Sequence, residues 1–501
     1  MARQEAIRFE DQALDFVELR DRARRVANGL TEHGLKKGDR IAVLLRNGLE
    51  WVEMFLGISG MGAVCVPVNI LLKPSEVEHL CHDSQATAFV VDEHSIDLLE
   101  DSGVVPDLVV TVGEGAGKAP GKKVVRFEDL MLATARPHDD PPTLDDDLIL
   151  YYSSGTTGLP KAAVHTHNGV LWNSYSQLHD LKVTRNEVYL VVPSFSWAAG
   201  FHNVTLAAMW VGARSVVLPN KGMSMERILD AAESQGGTKA QIVPTLLRQL
   251  LAHEDNKQRL RKSTLRYVLT GAEPVPLPMI QQFQSELPEI DLIQGYGMSE
   301  FPTVASILEP EDAVSRAGWA GRATSTTRLA VLDFDGNISD TGEGEVLLRS
   351  PATMSGYWNR PEQNAEAFAD GWLHSGDVGM LDEQGFLKLT GRKKDMIISG
   401  GLNVYPKEAE DVIHQIAGVE EAVVVGVSDP EWGEISVAVL VADKDSVAPD
   451  KVVSHCRKNL ATYKVPKQVL FHDGRFPRNA SGKVLKREIQ PWAASELGRE
   501  S

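Results

Sequence analysis

A chain of 501 residues is long enough for two or three domains around substantial cores, and 43% apolar with 24% charged residues is the composition of a globular protein. A formal net charge of -18 excludes a general nucleic-acid binder, because counterion release needs clustered Lys and Arg, although a local cationic pocket is still allowed. Cys65, Cys81 and Cys456 stand apart with no C-x-x-C spacing, which excludes a disulfide framework and a thiolate metal site and fits a reducing cytoplasm. The N-terminus reaches acidic residues within a few positions and lacks the apolar core of a secretory signal. The longest apolar stretch, residues 54–68, is broken by glycines, is too short to span a bilayer, and reads as a buried helix followed by a strand. No transmembrane segment is expected, while peripheral membrane contact and a homodimer are both compatible with this composition.

Phe16, Leu19, Ala23, Val26, Ala27 and Leu30 fall on one face and predict an amphipathic helix over 15–30. The apolar run 41–45 reads as a buried parallel strand, followed by a helix near 51–58 and a strand over 63–68. A helix over 75–84 and a strand over 88–91 repeat the alternation of an α/β fold. Residues 113–123 and 136–147, rich in Gly and Lys or in Pro and Asp, read as surface loops. A strand over 188–192 leads into Pro193-Ser194-Phe195-Ser196-Trp197-Ala198-Ala199-Gly200-Phe201, a candidate wall of an apolar substrate pocket whose aromatics could equally be ordinary core. Helices over 207–212 and 225–235 flank a strand over 215–218. Two strands then open into loops, 267–270 into Gly271-Ala272-Glu273-Pro274 and 291–293 into Gln294-Gly295-Tyr296-Gly297-Met298-Ser299-Glu300. Loops at the carboxyl ends of strands are where open α/β sheets bind ligands, so these two are read as sharing one site.

Beyond residue 318, short alternating strands and Gly-rich turns predict a β-rich subdomain. Past the charged break Gly391-Arg392-Lys393-Lys394-Asp395 the pattern becomes helix (406–415), two strands (421–427 and 436–442) and helix (448–460), a small C-terminal α and β domain. The boundary is expected between residues 391 and 392.

One stretch carries the chemistry: Tyr151-Tyr152-Ser153-Ser154-Gly155-Thr156-Thr157-Gly158-Leu159-Pro160-Lys161. Glycines let backbone N–H groups approach an anion, hydroxyls add hydrogen bonds and Lys161 supplies a charge, which together make a phosphate cradle. Its spacing departs from G-x-x-x-x-G-K-[ST], so a different ATP chemistry is implied. Asp377 in His374-Ser375-Gly376-Asp377 suits the two ribose hydroxyls, with Arg392 beside it. Tyr296 offers a face to adenine, Ser299 a hydroxyl to the α-phosphate, and Glu300 a hard oxygen ligand for Mg²⁺. Lys483, in Pro477-Arg478-Asn479-Ala480-Ser481-Gly482-Lys483, is a cation that a rigid-body motion of the small domain could bring to or from the α-phosphate.

These pieces, with the hinge stretch G-R-K-K-D-M-I-I-S-G-G-L-N-V-Y-P-K-E, stand in the order seen in the adenylate-forming enzymes, and from Phe16 to Ile489 the chain resembles that family. The resemblance implies a large N-terminal region of two stacked α/β subdomains and a β-barrel-like subdomain, then a small mobile C-terminal α+β domain hinged near Lys394. It implies a carboxylic acid:CoA ligase that uses ATP, Mg²⁺ and coenzyme A. A carboxylate attacks the α-phosphate, with Glu300, Ser299 and Lys483 at the reacting centre, and pyrophosphate leaves through the Ser153 to Lys161 loop. The resemblance matches Glu273, Gln294 and Gly295 to the adenine and ribose contacts, and Lys394 to the hinge. Gly400, Gly401 and Asn403 are matched to the path of the CoA thiol, with glycines leaving room for a narrow arm.

Amino-acid-activating relatives place an aspartate where this chain has Ser196, so a substrate ammonium is disfavoured. Many acyl-CoA synthetases carry histidine there, and many relatives carry threonine in place of Ser299. Trp197, Phe201, Gly271, Gly297 and Met298 are the expected acyl-pocket residues, all apolar, and point to a hydrophobic monocarboxylic acid. The chain looks most like bacterial fatty-acyl-CoA ligases. Alternatives are an aryl or alicyclic acid:CoA ligase, a stand-alone enzyme loading a carrier protein, and a non-catalytic sensor, the last disfavoured by Lys161, Glu300 and Lys483 together.

Overall fold

The computed structural model describes residues 3–114, 119–153, 160–271, 275–443, 446–478 and 483–499. The chain divides into two compact units, the first comprising Met1–Ser153, Pro160–Leu329 and Leu348–Leu373 and the second including Ala330–Leu347 and His374–Ser501.

The first unit carries two mainly parallel sheets. One runs in the order Lys123–Arg126, Leu108–Val112, Ala88–Asp92, Arg40–Leu44, Val64–Pro67, Asp147–Ser153, Lys161–Thr166, Gly356–Tyr357, parallel up to Asp147–Ser153 and antiparallel beyond. The other runs Gln12–Asp15, Glu5–Phe9, Arg214–Val217, Val188–Val191, Lys239–Gln241, Tyr267–Gly271, Asp291–Met298, Phe301–Leu308, Gly321–Ala323. Past Arg40, strand Arg40–Leu44 is apolar because both its faces are covered: Ile41 and Val43 enter one core, Ala42 and Leu44 another.

The predicted first helix spans Phe16–Glu32 and begins where Asp15 accepts from the amides of Val17 and Glu18 at 2.8 Å while Glu18 accepts from the Asp15 amide. It packs on helix Leu49–Gly60 at Gly57, where a Cβ would lie 2.4 Å from Val26 Cγ1. The reading of residues 294–300 as a loop is corrected: strand Asp291–Met298 continues through most of it, because Phe301–Leu308 returns antiparallel with Gln294 opposite Leu308 and Tyr296 opposite Ser306. Only Ser299 and Glu300 turn the corner.

A buried polar network crosses this core. Trp51, Phe55, Phe195 and Phe201 cluster with ring centroids 4.5 to 5.8 Å apart, and His202 stands against Phe55 and Phe201. The Tyr151 hydroxyl meets His202 Nδ1. Burial holds Tyr151 protonated. His165 Nε2 lies 2.7 Å from the Ser299 carbonyl, to which it donates. Burial pushes His165 down to about 4, and burial with the nearby His165 pushes His202 down to about 3.

In the second unit, the region expected to be barrel-like has the strand order Ile338–Ser339, Arg328–Leu332, Gly342–Arg349, Trp372–Leu381, Phe386–Arg392. The C-terminal sheet runs Leu402–Val404, Ile397–Ser399, Gly433–Ala442, Val419–Asp429, with Gln468–Phe471 parallel to Gly433–Ala442. Ala422, Val424, Ala438 and Leu440 face helices Pro406–Ile413 and Pro449–Asn459, while Val423, Val425, Val437 and Val439 face helix Lys486–Glu496. The unbroken valine run is therefore a strand covered on both sides. Among the described residues, no helix is long and apolar enough to cross a membrane.

Gly57→Ala should lower the midpoint of thermal unfolding through ~1–3 kcal/mol of overpacking, with Val26→Ala in the same chain restoring part of it. The two histidines set an acid limit. Unfolded imidazoles titrate near 6.5, so below that pH the unfolded chain binds more protons; stability is full above it and falls as pH drops toward 4. At pH 5 each histidine should cost about 2 kcal/mol, and His202→Asn should shrink the difference in unfolding midpoint between pH 7 and pH 5.

Candidate active site

Strands Asp147–Ser153 and Lys161–Thr166 form an antiparallel hairpin with Ser153 opposite Lys161. The phosphate stretch is thus the hairpin connection; Ser154, Gly155, Thr156, Thr157 and Gly158 lie outside the described residues, as does Glu273. Lys161 is half-buried, and its Nζ lies 5.2 Å from the centroid of the Tyr357 ring. The Tyr357 hydroxyl donates to Glu300 Oε1 at 2.8 Å, so the loop cation and the turn carboxylate meet at one phenol. The Glu300 carbonyl accepts from the Met354 amide at 3.0 Å. Among the described residues, no group of three His, Cys, Asp or Glu could hold a metal ion. Nucleotide-bound Mg²⁺ needs one or two carboxylates, the remaining ligands being phosphate oxygens and water, and Glu300 fits that demand.

Strands Tyr267–Gly271 and Asp291–Met298 run parallel with Thr270 beside Gln294 and Gly271 beside Gly295. Thr270 and Gln294 are buried on the same face, and Thr270 Oγ1 and Gln294 Nε2 have no hydrogen-bond partner among the described residues. Buried orphan groups are costly, and two adjacent ones at the carboxyl ends of parallel strands suit the heteroatoms of a ligand. Glycine at 271 is required by the close approach, since a Cβ there would stand 2.5 Å from the Gly295 carbonyl oxygen. Tyr296 and Met298 follow Gln294 on the same face, half-buried, while Gly297 is exposed.

The apolar segment divides. Phe201 is fully buried in the aromatic cluster, whereas Trp197 keeps exposed surface at the start of the short helix Ala198–Phe201. Ser196 is buried with its Oγ 2.9 Å from Ser194 Oγ.

In the second unit, Asp377 stands opposite Arg392 across two antiparallel strands, with Arg392 Nε 2.6 Å from Asp377 Oδ1. Lys394 lies on the 3₁₀ turn Lys393–Asp395; its ammonium is pushed down to about 8, chiefly by desolvation, with Arg392 and Lys483 lowering it further against the pull of Asp395 and Asp377. Lys483 is lowered likewise, by desolvation first and then Arg392, although the residue keeps an exposed surface. Four residues chosen from three separate motifs therefore share one electrostatic cluster. Gly400 and Gly401 form the two-residue turn between Ile397–Ser399 and Leu402–Val404, both with positive φ (59° and 79°), which is a backbone requirement of such hairpins. Asn403 pairs with Ile398, and a Cβ on Gly400 would meet the Trp432 ring at 2.7 Å.

Sequence reasoning missed Tyr357, His165 and Glu345. Glu345 Oε2 lies 2.9 Å from Lys393 Nζ and 3.2 Å from His374 Nδ1, joining strand Trp372–Leu381 to the 3₁₀ turn Lys393–Asp395. Gly356-Tyr357-Trp358-Asn359-Arg360-Pro361 reads as a turn before a helix, and no local pattern shows that Tyr357 reaches Glu300.

The AMP-binding enzyme family model matches residues 1–358, and that of the AMP-binding enzyme C-terminal domain matches residues 408–483. The long-chain-fatty-acid–CoA ligase FadD13 of Mycobacterium tuberculosis is 36% identical over 95% of this chain and 92% of its own. A feruloyl-CoA synthase of an Amycolatopsis species is also 36% identical, over 97% of this chain and 95% of its own. Among solved structures, the o-succinylbenzoate CoA synthetase of Bacillus subtilis in complex with ATP and magnesium ion matches with a TM-score of 0.84 at 28% identity, over 97% of this chain and 96% of that one. Two family models matched in order, relatives aligned along almost the whole chain and a nucleotide-suited site together establish that the chain belongs to the AMP-binding enzyme family, as an ATP-dependent, AMP-forming acid:CoA ligase.

Proposed function

We propose that this ligase takes a hydrophobic monocarboxylic acid, a fatty acid first and an aryl or alicyclic acid second. The observation carrying this reading is Ser196, buried and 2.9 Å from Ser194 Oγ: a substrate ammonium there would lie desolvated without a counter-charge. Trp197 and Met298, half-buried and apolar, are read as pocket walls. The aryl alternative is retained because the fatty-acid and feruloyl relatives are equally similar at 36% identity. A cytoplasmic site is proposed from the three cysteines, all free and buried.

In the first half-reaction a substrate carboxylate oxygen bonds to the α-phosphorus of ATP and pyrophosphate leaves. The phosphate hairpin and Lys161 hold the departing group, and Ser299 donates to the α-phosphate. Gln294, with its orphaned buried amide, and Tyr296 orient the adenine, and Glu273 is assigned to the same contact. Asp377, oriented by Arg392, accepts from the ribose hydroxyls. Mg²⁺, held through Glu300, would supply neutralisation of phosphate charge. Lys483 counters the negative charge that grows in the transition state, a role that suits an ammonium already partly desolvated. In the second half-reaction the CoA sulfur bonds to the acyl carbon, AMP leaves, and the thiol proton is released. Gly400, Gly401 and Asn403 are assigned to the thiol path and Lys394 to the hinge.

The test is mass spectrometry of products from Mg-ATP and a panel of fatty, aryl and alicyclic acids, with and without CoA. Acyl-CoA formed from a hydrophobic acid only when CoA is present is the expected result; acyl-adenylate with no thioester in either reaction overturns CoA as acceptor and points to a carrier protein. Lys483→Ala should reduce adenylate formation by about 100-fold or more while ATP binding by calorimetry changes little; undiminished turnover removes Lys483 from the mechanism.

A further inference from the structure

Tyr357 is held through its backbone, its hydroxyl and its ring. Strand Gly356–Tyr357 sets it opposite Ala163, two residues past Lys161. Asn364 grips its backbone twice, accepting from the Tyr357 amide at 2.6 Å and donating to the Tyr357 carbonyl at 3.0 Å. Gly356 permits that grip, because a Cβ there would stand 2.9 Å from Asn364 Nδ2. Three residues on, Arg360 pairs with buried Asp83, which also accepts from the Tyr152 hydroxyl at 2.9 Å, next to Ser153 at the start of the phosphate connection. The segment is thus anchored to both strands of the hairpin. From that anchored position the phenol does two things: its hydroxyl donates to Glu300 Oε1, and its ring lies within cation–π range of Lys161.

We propose that Tyr357 is a positioning residue of the adenylation half-reaction, setting the Glu300 carboxylate and the Lys161 ammonium at one spacing so that the metal-bearing and phosphate-bearing groups engage the same triphosphate. The proposal rests on the reading of Glu300 and Lys161 given above. A carboxylate on a two-residue turn has free rotations of its own, and a hydrogen bond from a fixed phenol removes them before the nucleotide arrives. A neutral phenol, unlike a cation, holds the carboxylate without cancelling the charge a divalent ion needs. The ring, in turn, restrains the flexible lysine without neutralising it.

The decisive experiment compares full-length wild type with Tyr357→Phe, Tyr357→Leu and Glu300→Gln. ATP binding is measured by calorimetry with Mg²⁺ and with EDTA, alongside acid-dependent ATP–pyrophosphate exchange and thioester formation from supplied acyl-adenylate. Tyr357→Phe, which keeps the ring, should lose about tenfold of the affinity gained from Mg²⁺ and about tenfold in exchange kcat, with binding in EDTA and thioester formation unchanged. Tyr357→Leu should in addition weaken ATP binding in EDTA by about threefold, through loss of the ring beneath Lys161. If Glu300→Gln loses the Mg²⁺ gain and Tyr357→Phe does not, positioning by Tyr357 is overturned while the Glu300 assignment stands. If Glu300→Gln keeps the gain, the underlying reading of Glu300 fails and the proposal falls with it. A Tyr357→Phe enzyme that weakens equally in both binding conditions and in thioester formation has lost general structure, which also overturns positioning.

Discussion

The turn Ser299–Glu300 is held by one strand of the neighbouring sheet, and the site of the first unit depends on that restraint. His165, on strand Lys161–Thr166, donates to the Ser299 carbonyl, and Tyr357, paired to the same strand, donates to the Glu300 carboxylate. The two sheets of this unit are thereby tied at the point where the nucleotide-suited strands end. Such a tie works because His165 is buried and neutral, so that Nε2 is a fixed donor and the connection carries no charge that solvent could screen. The buried Tyr151 and His202 pair continues the same layer into the aromatic core, so that rigidity at the turn is inherited from packing around Trp51, Phe55 and Phe201.

The second unit solves a different electrostatic problem. Asp377, Arg392 and Asp395 lie close enough to Lys394 and Lys483 to act on both ammonium groups, and the cations of the cluster outnumber the anions. Desolvation keeps both ammonium groups easier to deprotonate than lysines in water, against the opposing pull of Asp377 and Asp395. The Asp377 to Arg392 pair, fixed across adjacent strands, limits the surplus without removing it.

Much of the architecture was legible because local pattern and final environment agree. The helix at Phe16–Glu32 follows from apolar spacing and an aspartate cap, and the valine run 423–425 reads as a strand because covered sheets take continuous apolar sequence. The loop reading of residues 294–300 failed for a reason equally physical. Glycine, tyrosine and serine there mimic turn composition, yet a strand's extent is decided by its partner, and Phe301–Leu308 supplies one. In the apolar segment, Trp197 and Phe201 lie four residues apart with similar chemistry, and only packing sends one fully into the core and leaves the other half-buried.

What the sequence alone determined is the chemistry on offer: a glycine- and hydroxyl-rich connection ending in Lys161, a turn bearing a hydroxyl and a carboxylate, an aspartate and an arginine, and two lysines in the C-terminal part. Those groups are written in contiguous motifs because backbone turns and adjacent donors are local properties. The tertiary structure alone decided which groups meet. Tyr357 joins Glu300 across 57 positions and His165 joins Ser299 across 134, distances over which no periodicity or spacing carries information. Contacts of that kind arise when two sheets pack, and their energies come from burial and hydrogen-bond satisfaction in the folded chain rather than from any residue's own preference.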